Sequence, residues 1–64
     1  MNILYTFNHP SREKNQIVIA QSGRVFEIWL TEKDNTEWKK FCGEHLTFEE
    51  AITDCFSKFE KGYF

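Results

Sequence analysis

No stretch of this chain holds more than a few apolar residues in succession, so no segment of it is long enough to cross a bilayer as a helix. The opening MNILYTFNHPSREK lacks the basic and apolar regions of a signal peptide, and no Asn-x-Ser/Thr acceptor occurs anywhere. Cysteine appears twice, as Cys42 and Cys55, too seldom for the disulfide framework of a small secreted scaffold. These absences lead to the expectation of a cytoplasmic protein whose cysteines are thiols. Positive charge is scarce as well. Eight Lys and Arg stand against ten Asp and Glu, for a net charge of -2, which gives no broad field for phosphate and counts against a dedicated duplex-DNA binder. Gly-rich phosphate loops, nucleotide motifs, metalloprotease motifs, repeats and low-complexity segments are all missing.

What the chain does hold is aromatic bulk. Seven Phe, two Trp and two Tyr among 64 residues are the means of filling a small core. A domain of this size buries only about 60% of the surface that its unfolded chain exposes, so its stability margin is thin. A chain that begins at Met and carries no tag or linker reads as a complete small reading frame forming one domain.

The stretch Gln16 to Leu30, QIVIAQSGRVFEIWL, predicts a two-strand hairpin turning at Ser22-Gly23. Period-2 alternation then puts Ile17, Ile19, Phe26, Ile28 and Leu30 on one face and Val18, Ala20, Val25, Glu27 and Trp29 on the other. Asn2 to Asn8 alternates in the same way, Ile3, Tyr5 and Phe7 against Leu4, Thr6 and Asn8, and reads as a first strand. His9 to Asn15, with Pro10, is a loop too short for a parallel crossover, so the strands form an antiparallel meander. After a turn at Asp34-Asn35, Glu37 to Gly43 reads as a fourth strand that places Phe41 opposite Ile28 on the core face and Trp38 beside Trp29 on the other. The alternative for this segment is a short helix capped by Asp34 and ended at Gly43. The last element is a helix from Phe48 to Lys61, with Thr47 as N-cap, Glu50 closing a capping box, Leu46 as a staple residue, and a stripe of Phe48, Ala51, Ile52, Cys55, Phe56 and Phe59. The fold expected is α+β: an antiparallel three- to four-stranded meander with one C-terminal helix packed across one face.

Chemistry has few places to reside. Cys42 and His45 have a ligand-like spacing that Cys55 and His9 could complete. The expected register, however, sends Cys42 to the face away from the helix, with the sheet between it and Cys55. That placement disfavours both a metal site and a disulfide. The carboxylates are spread among turns and solvent positions. Neither an enzyme, a cofactor nor a small-molecule substrate is expected. The feature that asks for a function is the second sheet face. One helix covers one face only, and the other is expected to carry Val18, Val25, Glu27, Trp29, Trp38 and Lys40. A protein partner or a second copy would use the two tryptophans as anchors. Single-stranded nucleic acid would stack on the same rings, with Lys39, Lys40, Arg24 and Lys33 meeting the backbone. The acidic charge balance favours protein.

In element order from Val25 to Ile52, with a tryptophan near the end of a central strand, the chain resembles the whirly-like single-stranded-DNA-binding family of transcriptional coactivators. That resemblance implies a homodimer binding single strands on its sheet. The sequence LTFEEAI also looks like the start of the helix in small antitoxins with a strand-rich N-terminal domain. In size and charge, the chain is similar in character to host-targeting inhibitors encoded by phages and mobile elements, including anti-CRISPR and anti-restriction proteins.

Overall fold

The computed structural model describes residues 2–33 and 35–64, with side chains described for all of these except 35–39. Four strands precede one helix: β1 (Asn2–Asn8), β2 (Asn15–Ser22), β3 (Val25–Glu32), β4 (Asn35–His45) and α1 (Phe48–Glu60). The sheet order is β1-β2-β3-β4 and every pairing is antiparallel, as short connections between successive strands require. The α+β meander expected from the sequence is the observed fold, with Glu37 to Gly43 inside β4.

The central hairpin closes one residue later than the sequence suggests. Ser22 pairs with Val25, leaving Gly23 and Arg24 as the loop. Gly23 has φ +62, the left-handed geometry that a type II′ turn requires at its first central position and that glycine adopts without Cβ strain. Ile19 therefore pairs with Ile28 and Ile17 with Leu30, a register two residues away from the expected one. A slip of two leaves every side chain on its original face, so the predicted core face survives intact.

β4 departs further. Ile28 pairs with Gly43, but Trp29 pairs with Phe41, so Cys42 is an extra residue in the ladder. This bulge reverses the alternation on either side of it. Phe41, expected in the core opposite Ile28, lies on the opposite face. Cys42, expected on that opposite face, is buried in the core with Cys55. Lys40 likewise changes sides. It pairs with Leu30, and its Nζ sits 4.5 Å from the ring centroid of Tyr63, on the helix side of the sheet.

The core lies between the sheet and α1. Ile17, Ile19, Ile28, Cys42, Ala51, Cys55 and Phe64 form it, with Phe7, Phe26, Leu30, Phe48, Ile52 and Phe59 packed around them. Burying each isoleucine contributes about 1.5–3 kcal/mol relative to leaving it in water. α1 starts where the capping pattern predicts. The Thr47 hydroxyl accepts from the Glu50 N–H at 3.2 Å and lies 3.2 Å from the Glu50 carboxylate. Leu46 does not act as a staple, because it is 74% exposed. The C-terminus closes with a Schellman motif: the Tyr63 N–H donates to Lys58 O, the Gly62 N–H donates to Phe59 O, and Gly62 has φ +69. The reversal returns Phe64 to the core, 4.8 Å from the Phe59 ring. His9 fixes this end. Its Nδ1 accepts from the Ser11 N–H at 3.1 Å, so a neutral ring carries its proton on Nε2 and donates it to Phe64 O at 3.1 Å.

Candidate interaction face

Side chains that pair directly across an antiparallel ladder share a face, so the register defines the open side of the sheet row by row. One row runs Thr6, Val18, Trp29, Phe41; the next runs Ile3, Ala20, Glu27, Glu44; Val25 lies beyond, paired with Ser22. α1 packs on the other side, nearest β3 and β4. Val18 and Ala20 are buried on this side, away from α1. The Trp29 indole Nε1 donates to Glu27 Oε1 at 3.0 Å, and these two residues are the cross-strand partners of Val18 and Ala20. The Phe41 ring meets Trp29 edge-on with centroids 5.4 Å apart, and Phe41 remains 46% exposed. Ile3, at the far end of the second row, is 54% exposed.

Of the residues expected on this face, Val18, Val25, Glu27 and Trp29 are there. Lys40 is not, for the reason given by the bulge at Cys42. Trp38 pairs with Thr31 through the backbone register, while its side chain falls outside the described residues. Phe41 is the contributor that simple alternation missed. The signal for it was Gly43, since a glycine inside a strand pattern often marks a bulge. Gly43 has φ +148, and a Cβ there would stand 3.4 Å from Asp54 Oδ2 of the helix.

Among the described residues, the paired charges on the open face are acidic. Glu27 and Glu44 pair directly beside Trp29. The basic groups Lys40 and Lys58 both approach the Tyr63 ring on the helix side, at 4.5 and 5.3 Å. The titratable cluster of the molecule is also on that side. Asp54 Oδ2 accepts from His45 Nε2 at 2.8 Å and from Lys58 Nζ at 2.5 Å, tying the end of β4 to α1. Burial opposes ionisation of Asp54, but hydrogen bonds from Lys58 and His45 outweigh it and hold the carboxyl below its ordinary value of 3.8.

The suspected ligand set does not converge. His45 is engaged with Asp54 and His9 with Phe64 and Ser11, while Cys42 and Cys55 sit in the apolar core. The two cysteines do share that core, and the separation by the sheet expected from the register is overturned. Both are free thiols. Burial pushes the Cys55 thiol up to about 12 and also raises Cys42, so neither is a ready nucleophile at neutral pH. No helix among the described residues is long and apolar enough to cross a membrane. No protein-family model matches the chain, and neither the curated proteins nor the solved structures contain a match to it.

Proposed function

We propose that this chain is a non-enzymatic protein-interaction module that docks a protein partner through the open sheet face, with Trp29 as the anchor, Phe41 and Val25 around it, and the buried Val18 beneath. The observation that carries this reading is the Trp29–Phe41 pair. Two large rings in edge-on contact stand on the side of the sheet away from the helix, and Phe41 is nearly half exposed. Glu27 and Glu44 supply a charged rim suited to a basic partner surface. The same two carboxylates weigh against the alternative, a single-stranded nucleic acid binder, because phosphate would approach the rings past paired negative charge. The most specific form of this proposal is a cytoplasmic inhibitor of a host protein, of the kind phages and mobile elements encode. It is supported by size and charge balance alone.

The test is affinity capture from cells with the wild type, Trp29→Ala, Phe41→Ser and an exposed helix-side control, Lys61→Ala. Proteins retained by the wild type and the control but lost with both face variants are the expected result. An identical retained set for all four overturns the reading. A Trp29-dependent fluorescence change on adding single-stranded oligonucleotide at low salt, reversed by added salt, would replace it with the nucleic-acid alternative.

A further inference from the structure

The sheet has two edges, and they are built differently. β4 breaks its ladder at three places, between Ile28 and Trp29, Leu30 and Thr31, and Thr31 and Glu32, and its sequence carries Glu37, Lys39, Lys40 and Glu44. Bulges and charges of this kind protect an edge from further strand pairing. β1 has one irregularity, at Leu4, and no charged residue from Asn2 to Asn8. Among the described residues, no strand neighbours its outward row of N–H and C=O groups. Tyr5 is 49% exposed on it.

Beside this edge runs an apolar groove. α1 lies toward β3 and β4, leaving a cavity of about 400 Å³ lined by Tyr5, Phe7, Phe48, Ile52, Cys55 and Phe56. Phe56 overhangs it, 60% exposed although it belongs to the apolar stripe of the helix. An exposed strand edge next to an apolar groove is the arrangement by which a sheet accepts one more strand, with the backbone giving affinity and the groove taking alternate side chains.

We propose that the added strand is β1 of a second copy of this chain, paired antiparallel across a two-fold axis. The argument is one of charge and self-complementarity. A two-fold axis brings the same patch of both copies together, so any net charge in that patch would repel its own image, and neither β1 nor the groove contains a charged residue. The net charge of -2 adds little repulsion between whole molecules. The regular part of β1, Tyr5 to Asn8, alternates aromatic and polar residues. Pairing centred on Thr6 sets Tyr5 of each copy against Phe7 of the other, on the side where Phe56 overhangs, so the groove is filled by the aromatic residues of the second copy.

Light scattering on the full chain over a concentration series tests this. The wild type should pass from 7.7 kDa to twice that mass. Tyr5→Lys and Phe56→Lys, both at exposed positions, should weaken association by about tenfold or more with an unchanged circular dichroism spectrum. Trp29→Ala should associate as the wild type does, which separates this surface from the open face. Hydrogen exchange of the wild type at the two ends of the series supplies a reading independent of any variant: amides of Asn2–Asn8 should slow and those of Asn35–His45 should not. A mass that stays at 7.7 kDa, growth beyond two copies, slowing in β4 instead of β1, or a dimer lost in Trp29→Ala and kept in Tyr5→Lys would each overturn the proposal.

Discussion

The two faces of the sheet bury residues by different means. On the helix side, Ile17, Ile19 and Ile28 lose all contact with water because a second layer, α1, covers them. On the open side, Val18 and Ala20 are nearly as inaccessible, yet α1 packs on the other side, and their cross-strand neighbours are Trp29 and Glu27, whose side chains are hydrogen-bonded to each other. Cover from a second layer is a property of the fold. Cover from a neighbouring side chain can be removed by one substitution. The difference teaches that low exposure in a thin two-layer protein has two meanings, and that only the first identifies core.

The sharpest way to break this contrast is Ile28→Ala, which should cost about 2–5 kcal/mol in denaturant unfolding, a large part of the stability of a domain this small. If Trp29→Ala costs as much, the open face is core in its own right. Gly43→Ala should cost about 1–3 kcal/mol, because the residue sits at φ +148, a backbone conformation strained for any side chain, while the added Cβ would only touch Asp54 at 3.4 Å. Asp54→Asn refines the helix side through pH. The folded carboxyl titrates below its ordinary 3.8, so its ionised form stabilises the fold above that value, and the contribution is lost as pH falls through the lower, folded value. Wild type should therefore exceed Asp54→Asn by about 1 kcal/mol near neutrality, with the gap closing below pH 3.8. A gap that persisted at lower pH would mean the ion pairs with Lys58 and His45 contribute nothing. The smallest effect should be Phe41→Ser, under about 1 kcal/mol in stability. A melting temperature lowered as far as by Ile28→Ala would show that Phe41 has a structural rather than an interaction role.

Much of this architecture is legible in the sequence, and the parts that are not share a cause. The hairpin faces can be read because alternation fixes them and the observed register differs from the expected one by an even number of residues. The start of α1 can be read because Thr47 and Glu50 are a local signal. β4 cannot be read by alternation, because the extra residue at Cys42 inverts the pattern. Its effect is to exchange Phe41 and Cys42 between faces and to remove Lys40 from the candidate site. Gly43 was the visible mark of that inversion, and its meaning depends on the approach of Asp54 from a helix eleven residues further along. Leu46 fails as a staple for a related reason: the sequence names a partner four or five residues on, but the path of the chain into α1 leaves it in solvent.

The cysteine pair that the bulge brings into the core also gives the molecule a clock. Cys42 and Cys55 are contributed by β4 and α1, are buried, and have thiols shifted away from the reactive thiolate. Cys42 and Cys55 are only 6% and 1% exposed, so alkylation at neutral pH should be slow and should speed up in moments when the helix lifts from the sheet. Its rate, divided by that of an unstructured thiol, then sets an upper bound on the fraction of time the two layers stand apart.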